Sequence, residues 1–481
     1  MTLRSVLSGF SPVLSLALWC VIASMAATAS TPVVAVSSPA NNSQVFSPVH
    51  YVASATSPQC SKGISAIRIY IAPYVAAYTI NSNSIDTFLT LSPGTYNTVV
   101  QAWDNCGGVG KTSLNIRVAA TGLQSVRFLY VADDASSKVW GFTVDPSTGI
   151  PHATRQGWVA TNSSYRLASD KGGYRLYVTN AAPIPYGGIY AYFVDRRNGH
   201  LNAVPGSPFS LDTSPGPITV HPSGKFVFVG TISLQPGDGI LVLRVNADGS
   251  LRLVNSTPTP TKSTPDSIVV DPWGKYLYVI SSGGNSIDAL NIDTISGALT
   301  PVPGSPYTVS TPGCIDPSPS GITDFYGRFL YTSDEGASDI SGYAIAGRTG
   351  TLTELARSPF PDYGGCPSGK ASPRGLTTEP TGRFLYVLNG NYSNISIYSI
   401  NAGHGFLAHI KDTPAISNGF VYGALRTDPS GKFLYARSSG ATGDVVLGFS
   451  IDPVNGNLTA LPGSPFPIGS NVAAFDLAVT P

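Results

Sequence analysis

The stretch "DSIVVDPWGKYLYV", residues 266–279, reads as one tight β-hairpin. Its first half ends in a β-branched run and its second half alternates aromatic and aliphatic side chains, both of which suit a pleated, half-buried surface. Between them Asp271-Pro272-Trp273-Gly274 supplies turn chemistry, because Pro fixes φ and Gly tolerates the left-handed region. The second strand recurs seven times: "RFLYV" ending at Val131, "YRLYV" at Val178, "KFVFV" at Val229, "KYLYV" at Val279, "RFLYT" at Thr332, "RFLYV" at Val387 and "KFLYA" at Ala436. Six copies follow an inner strand that closes on a turn residue, at Asp170, His221, Asp271, Asp324, Glu379 and Asp428.

Outward from this hairpin comes a third strand, as in "DVVLGFSIDPVNG", and a fourth, as in "GNLTAL". Each unit is thus a four-stranded antiparallel sheet, the blade of a propeller. The first copy lacks an inner strand, and "FDLAVTP", Phe475 to Pro481, fits that pattern. The sequence therefore predicts an all-β chain whose residues 126–481 form a seven-bladed β-propeller, closed by residues 475–481 so that no open edge remains. The tags "GSPF" and "GSPY" at Gly206–Phe209, Gly304–Tyr307 and Gly463–Phe466 read as fourth-strand exits with the aromatic ring packed between blades.

Residues 30–119 carry short alternating runs punctuated by Ser-Pro, Pro-Gly and Gly-Gly, the spacing of a small β-sandwich. "SSPANNSQVF", "GISAIRIYI" and "GTYNTVVQAWDNCGGVGKTSLNIRV" resemble bacterial immunoglobulin-like domains, and residues 120–125 are expected to be a linker. Ahead of them Arg4, the apolar run Val13 to Ala23 and Ala27-Thr28-Ala29 have the organisation of a signal peptide, residues 1–29, cleaved near Ala29; an uncleaved N-terminal anchor is the alternative. Cleavage implies a secreted protein, periplasmic or extracellular, with no membrane span in the mature chain.

Net charge is +1 and only 11% of residues are charged, so neither a nucleic-acid partner nor an acidic solvating tail is indicated. Four cysteines follow the signal segment, and one bridge per module, Cys60 with Cys106 and Cys314 with Cys366, is the simplest of three pairings; free thiols are the alternative. No Cys-x-x-Cys, Gly-x-Ser-x-Gly or phosphate loop occurs, and no cofactor or metal is expected. Asp334, Glu335 and Asp339 are acidic enough for calcium but lack further ligand spacing.

Ligands of propellers enter at the mouth of the central channel. Counting four and five residues back from each turn residue, and from Thr480 at the matching place in the closing strand, yields Tyr165-Arg166, Gly216-Pro217, Asp266-Ser267, Pro319-Ser320, Arg374-Gly375, Gly423-Ala424 and Phe475-Asp476. Two arginines and two aspartates thus converge, a ring that either binds a polar ligand or neutralises itself.

The "DPSGKFLYV" hairpins, the "G-L-T" fourth strands and blades of this length resemble the lactonase-like propeller family, which includes 6-phosphogluconolactonase and muconate-lactonising enzymes. The resemblance spans nearly all of residues 126–481 and implies the fold. For the site it implies ligand-binding roles for Ser267, Arg374 and Asn389, to which the channel alignment adds Arg166. The family's catalytic His-Ser pair is here Asp266-Ser267, its second histidine is Gly375, and its glutamate is Gly390. Two expectations follow. One is a binding or interaction module with a degenerate lactonase-type site, taking a small molecule, glycan or protein on the propeller face. The other is an exported lactone hydrolase in which Asp266 or Asp476 replaces histidine as the base.

Overall fold

The structure is a computed structural model that describes residues 31–118 and 128–481, apart from 46–48, 72–74, 90, 92–93, 182–186, 233–237, 282, 310–319, 335–336, 362–371, 415, 417–423, 441–442 and 469–473. At 44, 50, 88, 439–440 and 474–475 it describes the backbone alone. The expected signal peptide, the 120–125 linker, Glu335 and the expected Cys314–Cys366 pair lie outside these residues. The chain divides into two compact units, Met1–Thr121 and Gly122–Pro481. Among the described residues no helix is long and apolar enough to cross a membrane.

In the first unit a three-stranded sheet orders Val33–Ser38, Val49–Thr56 and Ser84–Leu89. A five-stranded sheet orders Ser43–Val45, Val109–Val118, Gly94–Asp104, Ile64–Ile71 and Val75–Ile80. Both inner faces feed one core that includes Tyr51, Ile85, Ile67, Val100 and Leu114, the packing of a β-sandwich. Cys60 and Cys106 are disulfide-bonded with Cα atoms 5.9 Å apart. Beside the bridge Asp104 fixes the loop, accepting from the amides of Cys106 at 2.9 Å and Gly108 at 2.7 Å, and from Ser57 Oγ at 2.6 Å.

The second unit is seven sheets, here blades 1 to 7. Their second strands are Phe128–Asp133, Arg175–Asn180, Phe226–Thr231, Tyr276–Ser281, Phe329–Asp334, Phe384–Asn389 and Phe433–Gly440. The innermost strand of blade 1 is Ala474–Thr480, which pairs antiparallel with Phe128–Asp133 in the register Leu477 to Val131 and Val479 to Leu129. The seven-bladed all-β architecture is thus present, with blade 1 assembled from both ends of the unit.

The turn residues hold each inner hairpin through backbone amides. Asp271 Oδ1 accepts from Lys275 N at 2.6 Å and Tyr276 N at 2.7 Å, and Asp324 Oδ1 accepts from Arg328 N at 2.6 Å and Phe329 N at 2.9 Å. Burial nonetheless raises both carboxyl pKa values. Neighbouring blades are locked by the signature tyrosine, whose hydroxyl donates to a glycine carbonyl in the next blade. The pairs are Tyr130 to Gly199 at 2.9 Å, Tyr278 to Gly350 at 3.1 Å, Tyr331 to Gly405 at 2.7 Å and Tyr386 to Gly456 at 3.0 Å. Tyr435 to Gly149, at 2.6 Å, carries the same lock from blade 7 to blade 1.

The Gly-Ser-Pro tags do more than end a strand. The outer edge is interrupted, and a two-residue segment such as Phe209–Ser210 returns to pair with the third strand at Gly188 and Ile189. At the interruption the tag serine repairs the ladder: the amides of Ala191, Ala289 and Gly448 donate to Ser207, Ser305 and Ser464 Oγ at 3.0, 2.9 and 3.1 Å. Phe209, Tyr307 and Phe466 pack against the cores between blades.

Candidate functional site

All seven innermost strands line one central cavity of about 780 Å³. Four of them carry an irregularity where they enter it: the register shifts between Ser164 and Leu167, Pro215 and Ile218, Pro373 and Gly375, and Ala474 and Asp476. Both compared positions line the cavity in blade 2, Tyr165 and Arg166, and in blade 4, Asp266 and Ser267.

Arg166, Asp266, Ser267, Arg374 and Asp476 all line the cavity. Arg166 stacks on Tyr165, its guanidinium carbon 4.3 Å from the ring centroid. Ser267 Oγ accepts from Gly321 N at 3.2 Å and so joins blades 4 and 5. The amide of Asp266 donates to Ile280 O at 3.0 Å, which fixes its backbone beside the funnel wall. Asn389 is not among the lining residues; it is buried within blade 6, where Nδ2 donates to Asn394 Oδ1 at 2.9 Å and Ser396 Oγ at 2.7 Å.

Arg374 is placed by two neighbours. Buried Ser372, at a left-handed φ of 57°, accepts from Arg374 Nε at 3.3 Å. The side chain then lies against the backbone at Gly390, where a Cβ would stand 2.7 Å from Nε and 2.9 Å from Cδ. The missing side chain at Gly390 is therefore the space that this arginine occupies.

Asp476 is engaged on both oxygens. Oδ2 accepts from Leu167 N of blade 2 at 3.1 Å, and Oδ1 accepts from Leu477 N at 2.9 Å and from Arg426 Nη2 of blade 7 at 3.1 Å. One carboxylate of the closing strand thereby ties both neighbouring blades to blade 1.

Two lining arginines escaped the sequence reading, Arg426 and Arg437. Arg426 lies two residues beyond Ala424 on the same face of the inner strand, outside the positions compared. Arg437 follows the "KFLYA" signature, where the other blades have Ala132, Thr179, Gly230, Ile280, Ser333 and Leu388. A charged residue in that otherwise uncharged column was the available signal. Arg437 is buried and paired with Asp444, Nη2 to Oδ2 at 2.5 Å and Nε to Oδ2 at 3.0 Å.

The funnel thus gathers four guanidinium groups and two carboxylates, Arg166, Arg374, Arg426 and Arg437 against Asp266 and Asp476. No histidine is among the lining residues. His221 lies at the opposite end of its strand, where Nε2 hydrogen-bonds Gly274 O at 2.8 Å.

The profile of the family "Lactonase, 7-bladed beta-propeller" matches residues 200–317 and 322–422. Among solved structures, the periplasmic gluconolactonase of Pseudomonas aeruginosa is 21% identical with a TM-score of 0.59, covering 73% of this chain and 99% of its own. A Bacteroides fragilis protein provisionally named a 6-phosphogluconolactonase is 19% identical with a TM-score of 0.60, covering 75% and 100%. No curated protein matches the sequence significantly. At these identities the structural likeness speaks for the fold, a lactonase-like seven-bladed β-propeller, and the family profile matches within it.

Proposed function

We propose that this chain is an exported binding protein whose propeller takes a small organic anion in its central funnel, with the proton-transfer groups of the lactonase-type site replaced. The observation that carries this reading is the four-arginine lining combined with glycine at 375 and 390. Guanidinium groups recognise carboxylate or phosphate by charge-assisted hydrogen bonds and do not by themselves cleave an ester. Export is supported by the character of residues 1–29 and by the Cys60–Cys106 bridge, which suits an oxidising compartment. The sandwich, read as immunoglobulin-like, then serves as a spacer or adhesive module.

Asp266 favours a second reading, lactone hydrolysis. It is a carboxylate on the funnel wall of blade 4, and the Pseudomonas relative is named a gluconolactonase. In that chemistry Asp266 takes a proton from water as the oxygen attacks the lactone carbonyl. The ring oxygen leaves with the electron pair of the broken C–O bond and receives a proton, so that lactone plus water becomes a hydroxy acid. Asp476 is less suited to this role because its oxygens already accept three hydrogen bonds.

Titration of gluconate into the wild type and Arg374→Ala, alongside a glucono-1,5-lactone assay, separates the readings. The binding reading expects saturable gluconate binding, weaker by about tenfold in the variant, and no turnover above buffer. Turnover abolished by Asp266→Asn selects the hydrolase, and absence of both binding and turnover overturns the anion site.

A further inference from the structure

Charge is distributed unevenly around the funnel. Three of the four arginines lie together, Arg374 on blade 6 and Arg426 and Arg437 on blade 7, with Arg166 on blade 2, whereas the junction of blades 3 and 4, which faces blade 7 across a seven-membered ring, presents Pro217, Ile232 and Pro265. These three form a continuous surface because blade 3 has glycine beneath them. A Cβ at Gly216 would stand 2.5 Å from Ile232 Cγ2, and one at Gly230 would stand 2.8 Å from both Pro217 Cγ and Pro265 Cβ. Pro217 and Pro265 are buried and Ile232 is half-buried.

We propose that the funnel selects an organic acid with an apolar body, an aliphatic or alicyclic carboxylate, held with its carboxylate toward the arginines of blades 6 and 7 and its hydrocarbon body on the shelf of Pro217, Ile232 and Pro265. The proposal rests on the anion-binding reading above and adds the ligand's chemical class to it. Proline has no N–H, so two of the three shelf residues offer a hydroxylated ligand no backbone donor, and a sugar-acid hydroxyl laid on them loses hydration without replacement. A methylene laid there gains from leaving water. Asp266, the residue after Pro265, repels a carboxylate from the shelf side and so orients the ligand.

The test compares cyclohexanecarboxylate with gluconate by calorimetric titration on the full chain, in the wild type, Ile232→Ser and Gly216→Ala. The last variant displaces the isoleucine without removing it. The proposal expects cyclohexanecarboxylate to bind about tenfold or more tightly than gluconate, since a six-carbon ring buries several methylenes. It also expects both variants to erase that preference by weakening cyclohexanecarboxylate binding. Equal or tighter gluconate binding in the wild type overturns the apolar-acid proposal and leaves the anion site standing. A preference that persists in two variants that melt like the wild type also overturns it. Failure of both acids to bind the wild type overturns the anion site itself.

Discussion

The junctions between blades and the rim of the funnel obey opposite rules. At the junctions five blades repeat one contact, a tyrosine hydroxyl on a glycine carbonyl between 2.6 and 3.1 Å. At the rim the position four residues before each turn residue is Arg166, Pro217, Ser267, Ser320, Gly375, Ala424 and Asp476, with hardly a chemical property in common. The junction contact recurs in five of the seven blades and the rim position in all seven. Repetition therefore marks what the fold needs, and divergence on the same scaffold marks where a ligand is free to impose its own requirements.

The largest break in this contrast comes from the one rim residue that is also structural. Deleting residues 474–481 removes the inner strand of blade 1 together with the bonds from Asp476 to blades 2 and 7. The expected outcome is loss of the cooperative melting transition or association through the exposed edge of Phe128–Asp133, read by calorimetry and light scattering.

Asp339 sharpens the contrast by pH. It opens the third strand of blade 5, with Oδ1 buried and unpartnered, and burial reinforced by the charges of Asp334 and Glu354 pushes its pKa up to about 7. An unfolded aspartate ionises near 4. The folded state therefore keeps a proton the unfolded chain has lost between these values, and stability falls as pH rises from about 4 to about 7. Asp339→Asn is expected to remove that slope and to be more stable by about 1–3 kcal/mol above pH 7, with no difference below about pH 4. Urea denaturation at several pH values measures it.

A smaller effect separates one junction from the rest. Tyr177 is fully buried, yet its hydroxyl has no partner. The turn it would meet in blade 3 is one residue shorter: Gly249 N bonds Asn246 O, three residues back, where Gly350 N reaches Ala346 O and Gly405 N reaches Asn401 O, four residues back. Tyr331→Phe is expected to cost about 1 kcal/mol, leaving the Gly405 carbonyl unpaired, whereas Tyr177→Phe is expected to be neutral or slightly stabilising. At the bottom of the scale, Arg374→Ala should change stability by less than about 0.5 kcal/mol while weakening ligand binding.

Most of the propeller was legible because its information is local. The turn residues, the alternating strands and the odd inner strand at the C-terminus each occupy a few consecutive residues. In the sandwich Ser43–Val45 and Val75–Ile80 were not foreseen. Three residues carry too little periodicity to read, and Ser43–Val45 exists through parallel pairing with Ile116 to Val118, more than seventy residues away. Val75–Ile80 is an edge strand with no fully buried residue and no apolar alternation to betray it. At the site, position along the inner strand was readable and partnership was not. Asp266, Asp476, Arg166 and Arg374 reach one cavity, but only the folded chain reveals that Asp476 is spent on closure and that Arg437 arrives from the second strand.

The central claim is that the arginine side of the funnel holds an anion, and a crystal structure of the protein soaked with gluconate tests it most directly. Carboxylate density is expected in the cavity within hydrogen-bonding distance of Arg374, on the side of blades 6 and 7. A funnel holding only solvent at saturating gluconate, or carboxylate density bound elsewhere on the molecule, would contradict it.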